Sequence, residues 1–306
     1  MKRLIILGAK GYVGHDLERY AQQVGIPVAV DLGRFWSFED VLSSLREYEV
    51  GPGDVVVNMV KTGNPYSLQQ LKPSSREYLE VWLVNVLVPE WTALACRMHG
   101  ATFVQFSTFM HLGDQVYEET RSPESVGLAY SLMKWCAEDR LQWLTVRGEW
   151  VPRIVRIHQP LSAGEHKGNL LTKIWSMVDQ GSLLLGEPSS VSVLGTLWPS
   201  FIEWLERPLE PDTGRPEILH LVNPGLVSPA RIGELLQEVD PTLRGKEVRA
   251  CSLDELTRLV EERARQAGEM PVYHRVHRNS GASLSGVRSA EEAVAQLVHE
   301  LFPVRL

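Results

Sequence analysis

Apolar positions fall in two alternating textures along the first half of the chain. Short unbroken aliphatic runs occur at Leu4-Ile5-Ile6-Leu7, Pro27-Val28-Ala29-Val30, Asp54-Val55-Val56-Val57-Asn58 and Ala101-Thr102-Phe103-Val104-Gln105-Phe106. Another follows at Val151-Pro152-Arg153-Ile154-Val155-Arg156-Ile157. Runs of this length bounded by turn residues predict strands buried on both faces. Between them the apolar residues recur at helical spacing: through Leu17 and Tyr20, over residues 78–98 up to the glycine stop His99-Gly100, and over residues 129–143. Strand and helix alternating over some 150 residues predict an α/β fold, a doubly wound parallel sheet with helices on both faces. Beyond Ile157 the segments shorten and gain Pro, Gly and Ser, as in Gly186-Glu187-Pro188-Ser189-Ser190. Helical patterns there cover residues 169–179, 199–206 and 229–239, with a charged amphipathic one at 254–266. Ile218-Leu219-His220-Leu221-Val222 predicts a strand returning to the first domain. The expected division is residues 1–157, with the returning strand near 218–223, and a smaller lobe over 158–306. No internal repeat or low-complexity segment is present.

The strand ends carry the chemistry. After Leu7 comes Gly8-Ala9-Lys10-Gly11-Tyr12-Val13-Gly14, a G-x-x-G-x-x-G spacing between a strand and a helix. Glycines there permit a tight turn, let a pyrophosphate approach the backbone and let the helix pack on the strand, with the anion at the positive helix end. The bland reading is a glycine-rich turn with no ligand. With the loop, the fold becomes a Rossmann-type sheet, whose ligands lie at strand carboxyl ends, where Gly8, Asp31, Asn58 and Thr108 all fall. Asp31, 17 residues after Gly14, suits the adenine ribose hydroxyls of NAD, whereas Arg34 or Lys10 suits a ribose phosphate. NADPH and NADH therefore both stand as cofactors. Asn58, Met59 and Lys61, together with Tyr12 and Val13, complete the cofactor-side candidates, Lys61 either reaching a phosphate or pointing to solvent.

Tyr130 is the one of eight tyrosines with a lysine, Lys134, four residues on. One helical turn places both on the same side. An ammonium beside a phenol favours the phenolate, so Lys134 is expected to lower the Tyr130 pKa toward neutrality, suiting it to protonate a carbonyl oxygen as hydride arrives. The pair by itself also describes any solvated helix face.

Composition changes this picture little. The 306 residues suffice for a sizeable core, and 44% hydrophobic with 23% charged residues is ordinary for a globular chain. A net charge of -7 argues against nonspecific nucleic-acid binding. No continuous apolar run approaches the roughly 18 residues of a membrane span, and the basic start Met1-Lys2-Arg3 leads into a strand and a glycine loop, so no membrane association is expected. Cys96, Cys136 and Cys251 are far apart and odd in number, which points to thiols in a reducing compartment and a cytoplasmic location, with no metal site.

Taken together, Gly8-x-x-Gly11-x-x-Gly14, Asp54-Val55-Val56-Val57-Asn58, Val84-Asn85-Val86, Phe106-Ser107-Thr108 and Tyr130-x-x-x-Lys134 resemble the extended short-chain dehydrogenase/reductases, within the NAD-dependent epimerase/dehydratase superfamily. The nearest branch in pattern is the dTDP-4-dehydrorhamnose reductases. The likeness covers residues 1–160 and continues loosely through Pro199-Ser200-Phe201 and Leu219-His220-Leu221. It implies NAD(P)H-dependent reduction of the keto group of a nucleotide-linked 4-keto-6-deoxy sugar, in a possible homodimer. It assigns Thr108 to the keto oxygen, Tyr130 to proton delivery, Lys134 to the nicotinamide ribose, and Asn85 to substrate or a relay water. The 22 residues from Thr108 to Tyr130 are close to the family spacing.

The chain also departs from the pattern. Phe109 stands where the branch has an acidic residue, Lys61 where small residues are usual, and Trp204 where an aspartate is usual. Phe109, His158, Trp198 and Arg275 join Asn85 and Thr108 as substrate-side candidates. Trp198 and Trp204 offer either stacking surfaces or core packing. His274-Arg275-Val276-His277-Arg278 offers either a pyrophosphate clamp or a solvated loop, and His111 a supporting role beside Thr108. The departures keep three alternatives open: a sugar-nucleotide epimerase, a reductase of a non-sugar carbonyl, and a non-catalytic cofactor-binding subunit.

Overall fold

In a computed structural model of the chain, the described residues are 1–31, 35–62, 74–109, 129–145, 149–163, 170–209, 214–267 and 286–301. Along the chain they form β1 (Arg3–Leu7), α1 (Tyr12–Gln23), β2 (Val28–Asp31), α2 (Phe38–Glu47), β3 (Asp54–Asn58) and α3 (Arg76–Trp82). A π-helical turn (Leu83–Leu87), α4 (Val88–His99), β4 (Thr102–Thr108), α5 (Ala129–Leu144), β5 (Arg153–Ile157), β6 (Pro160–Leu161) and α6 (Leu170–Asp179) follow. The remainder is β7 (Leu183–Leu185), β8 (Ser192–Val193), α7 (Leu194–Glu206), β9 (Glu217–His220), α8 (Pro229–Val239), β10 (Arg249–Cys251), α9 (Leu253–Ala267) and α10 (Ala290–Leu301).

Two compact units result. The first comprises the described residues of Met1–His111, Glu119–Ile157 and Trp198–His220, the second those of Leu112–Glu118, His158–Leu197 and Leu221–Leu306. The first unit takes back far more than a strand: the end of α7 and all of β9 belong to it. Its sheet is parallel throughout, in the order β2-β1-β3-β4-β5-β9. This is the doubly wound α/β sheet that the aliphatic runs predict. Leu4, Ile5, Ile6 and Leu7 have no exposed surface, because helices cover both faces; burying each such side chain is worth about 1.5–3 kcal/mol.

Register decides where a ligand fits. Leu7 pairs with Asp31 on one side and Asn58 on the other, so β1, β2 and β3 end level. The chain leaves β1 for β2 on one flank and comes back to β3 on the opposite flank. That reversal opens a crevice at the carboxyl ends of β1 and β3.

The helix expected over residues 78–98 runs from 76 to 99 but is not regular. Pro89 has no N–H to give the Asn85 carbonyl and its ring crowds that carbonyl. The turn widens instead, and Val88 N–H donates to Leu83 O, five residues back. By length and mean hydropathy the 24-residue Arg76–His99 segment is apolar enough to cross a membrane, although charged residues interrupt it and no continuous apolar run of that length occurs. Half of its apolar window is buried inside the protein, and Val88, Ala93, Ala95 and Cys96 pack with Phe103 and Ile154 in the first unit's core.

In the second unit, α6, α8 and α10 enclose Leu171, Ile174, Val178, Ile232, Leu236, Val294 and Val298. Two parallel strand pairs, β7 with β10 and β6 with β8, complete it.

Candidate active site

The glycine loop is built by close approach. Gly8 has φ +87°, and a Cβ there would lie 2.9 Å from Val60 N. A Cβ on Gly14 would lie 2.6 Å from Gly8 O and 2.9 Å from Ala9 Cα. Only glycine lets α1 start this close to β1. Gly11 caps α1 with no side-chain acceptor, its N–H donates to Gly8 O at 2.9 Å, and no acidic residue occupies the first turn. Lys10 and Gly11 are exposed, Tyr12 and Val13 half-buried. No side chain caps the positive end of α1 and Lys10 stands in the loop before it, an arrangement that fits an anion such as a pyrophosphate.

The loop after β3 forms the other wall. Met59 N–H donates to Leu7 O at 2.9 Å. Asn58, expected at the cofactor, has no exposed surface. Its Nδ2 donates to Gln105 Oε1 at 2.8 Å and its Oδ1 accepts Val60 N–H at 3.1 Å. Asn58 therefore shapes the loop through its neighbours rather than presenting its amide. Asn85 acts likewise. From the π turn, its Oδ1 accepts Thr62 N–H at 3.4 Å and its Nδ2 donates to Thr62 O at 3.0 Å. Asn85 is fully buried, and its amide holds the segment that carries Lys61.

Lys61, exposed, stands beside Tyr130. Its Nζ lies 5.9 Å from the centre of the Tyr130 ring, and the Lys134 Nζ is also 5.9 Å from it. Tyr130 lies in the first turn of α5 and is buried with Val81, Val86 and Met133. Lys134 Nζ donates to Phe106 O at 3.2 Å, which draws the lysine to the carboxyl end of β4, two residues before Thr108. Burial pulls the Lys134 ammonium down to about 8, helped by the like charge of Lys61 and opposed by Glu138. The expectation for Tyr130 reverses: burial pushes its phenol above the ordinary value. Loss of water around a phenolate outweighs the attraction of a lysine that is itself desolvated.

Beneath the lysine lies a buried network that the sequence reading passed over. Arg156 grips Glu138 with Nη2 to Oε2 at 2.6 Å and Nε to both carboxylate oxygens at 3.2 Å. Its Nη1 lies 3.3 Å from His220 Nε2, and the His220 ring meets Phe109 edge-on at 4.6 Å. The signals were present: Glu138 sits one turn beyond Lys134, and Arg156, like Arg153, places a charge in an otherwise aliphatic strand. Phe109, expected against substrate, is 3% exposed and packs on His220 instead. Thr108, 7% exposed, closes β4.

Other candidates separate from this cluster. Trp198 has no exposed surface; it donates Nε1–H to Asp16 Oδ1 at 2.6 Å and packs on Phe106 and Phe201, so it is core rather than a stacking platform. Trp204 lies under the Arg153 guanidinium at 4.8 Å. His158 belongs to the second unit, buried, its backbone N–H donating to Ser192 Oγ at 3.1 Å. The side chain of Asp31, and Arg34, His111, and the His274–Arg278 segment with Arg275, lie outside the described residues. Among the described residues no cluster of metal-ligating side chains occurs.

No protein-family model matches the chain, and no curated protein matches it in sequence. Solved structures do match its fold. The UDP-rhamnose synthase of Acanthamoeba polyphaga mimivirus superposes with TM-score 0.74 at 17% identity, over 97% of this chain and 98% of that one. The dTDP-4-dehydrorhamnose reductase of Bacillus anthracis, in complex with NADP, gives TM-score 0.74 at 16% identity over 98% of both chains. MoeE5 in complex with UDP-glucuronic acid and NAD gives TM-score 0.67 at 14% identity over 97% of both. At these identities the likeness establishes the fold.

Proposed function

We propose that the chain is an NAD(P)H-dependent reductase of the keto group of a nucleotide-linked sugar, with the 4-keto-6-deoxy sugars as the reference class. One observation carries the reading: Tyr130 and Lys134 meet at the carboxyl end of β4, in the same unit as a glycine loop at the sheet's switch point. Fold neighbours that hold NADP, or NAD with a UDP-sugar, support it.

The residues present fit a dinucleotide. The first-turn N–H groups of α1 and Lys10 would hold its pyrophosphate, and Lys134 its nicotinamide ribose. The bound cofactor supplies a hydride to the carbonyl carbon. As the carbonyl electron pair moves onto oxygen, Tyr130 gives that oxygen its phenolic proton, and the Thr108 hydroxyl donates a second hydrogen bond. A phenol whose pKa is raised by burial is held protonated at neutral pH, the form an acid needs. The Lys134 ammonium then stabilises the phenolate left behind. Phe109, buried on His220, offers no acid or base next to Thr108, which favours reduction over dehydration.

The test is nicotinamide absorbance with NADH or NADPH and a panel of dTDP- and UDP-linked ketosugars. Cofactor oxidation that disappears in Tyr130→Phe, with cofactor affinity retained, is the expected result. Full turnover in that variant would remove Tyr130 from the chemistry. Cofactor binding without oxidation by any panel member would move the reading to a non-sugar carbonyl or a binding role.

A further inference from the structure

Glu138 and Arg156 stand closer to the chemistry than a structural ion pair needs to. Glu138 follows Lys134 by one turn of α5, so both side chains leave the same side of the helix, and both are buried. Arg156 is opposite Ser107 in the register of β4 and β5, between the levels of Phe106 and Thr108. The Lys134 ammonium is directed to Phe106 O at 3.2 Å, while Arg156 takes both Glu138 oxygens at 2.6 and 3.2 Å. Arg156 is steadied in turn from β9. A guanidinium has donors only, so His220 Nε2, 3.3 Å from Arg156 Nη1, is the acceptor there.

Adhesion alone does not account for these charges. Leu141 of α5 and Ile154 of β5, both buried, already share the first unit's apolar core. A buried ion pair is seldom worth more to stability than apolar residues of the same volume. What an apolar pair would not supply is a negative charge beside Lys134. That lysine loses water on burial and meets the like charge of Lys61, and Glu138 is the group that opposes both. Among the described residues, the groups around Lys134 are Tyr130 and Glu138 on its own helix, Lys61 from the segment after β3, and Arg156 from β5. His220 of β9 stands behind Arg156.

We propose that Glu138, oriented by Arg156, is a positioning residue for the reaction: it supplies the fixed negative charge against which the Lys134 ammonium is presented to the nicotinamide ribose. The inference deepens the reductase reading above and rests on the role of Lys134 in it. Glu138 acts through the lysine rather than on cofactor or substrate directly.

Affinity of the full chain for NADH and for NADPH, measured by calorimetry from about pH 6.5 to about 9.5, tests this without a sugar substrate. Each variant is read as a ratio to the native protein at the same pH, which cancels titration of the nucleotide. Glu138→Gln keeps the shape and removes the charge. It is expected to lower the pH at which affinity falls by about one unit, a loss of about fivefold or more near pH 8.5 and under about twofold near pH 6.5. Glu138→Asp, charged but shorter, is expected to keep the native profile. Glu217→Gln, the same change at the Arg153 pair, is expected to leave the profile alone. Arg156→Met with Glu138→Leu strands no buried arginine, and keeps the test open if Glu138→Gln does not fold. It should shift the fall downward as well, because the carboxylate is the charge that acts on Lys134.

A native profile in Glu138→Gln or in the double variant reduces the pair to a strap between α5 and β5 and overturns the inference. So does an equal loss at both ends of the pH range, the same shift in Glu217→Gln, or one as large in Glu138→Asp. Native protein whose affinity does not fall up to about pH 9.5 removes Lys134 from the ribose, and the inference with it, while turnover still decides the role of Tyr130. No binding of either nucleotide sinks the reductase reading and the inference together.

Discussion

Lys134 illustrates how far a site residue departs from its free chemistry. Its ammonium is pulled to about 8 from an ordinary 10.5, chiefly by burial. A base depressed on folding binds its proton less well in the native state than in the unfolded chain. It therefore costs stability at all pH values below about 8, and that cost is relieved as pH rises from about 8 toward 10.5. Lys134→Met should stabilise the protein by about 2 kcal/mol at pH 7, the gain shrinking to nothing by about pH 10.5. Urea denaturation of both proteins across that range checks it; a gain independent of pH would refute the assigned cause. Cofactor affinity should weaken above about pH 8 in the native protein, as the ammonium loses its charge, and not in Lys134→Met.

The same site depends on two elements whose sequences look unremarkable apart from single residues. Gly14 lets α1 begin against β1, where a Cβ would strike Gly8 O at 2.6 Å. Gly14→Ala should cost roughly 2–3 kcal/mol and weaken dinucleotide binding, since the obstruction is backbone and cannot rotate away. Gly195, in α7, has nothing within 4 Å of its missing Cβ, so Gly195→Ala should instead stabilise by about 0.5–1 kcal/mol. Thermal melts of the two variants should move in opposite directions. Pro89 and Asn85 were both visible in the sequence, and the helix there was legible as a helix. That Pro89 widens the turn, and that the widened turn turns the Asn85 amide onto Thr62, was not. A 3.6-residue period gives the face of a helix but not a local change of its pitch.

Across the whole molecule, two buried arginines on β5 join parts of the chain that are remote in sequence. Arg153 donates to Leu205 O, Arg207 O and Glu217 Oε2, each at 2.7 Å, and so ties the returning Trp198–His220 segment to the sheet. Arg156 locks α5 to β5 and approaches β9 through His220. Removing one member of a buried ion pair leaves the other desolvated and uncompensated. Arg156→Met should destabilise by about 3–5 kcal/mol, while Arg156→Met with Glu138→Leu should recover most of that loss. A double-mutant cycle by denaturant unfolding checks this; equal losses in the single and double variants would show that the pair is not the source.

Taken alone, the sequence determined the alternation of buried parallel strands and helices, the glycine turn after β1, and the pairing of Tyr130 with Lys134. Each is a local pattern, set by residues within a turn or a strand of one another. Tertiary structure decided the rest. Trp198 became core because its indole meets Asp16, 182 positions away, and Trp204 because Arg153 lies over it. Asn58 and Asn85 became supports of a loop because buried amides must find partners wherever the fold brings them. The phenol of Tyr130 moved up rather than down because desolvation depends on every segment packed around it, and no spacing along the chain encodes that sum.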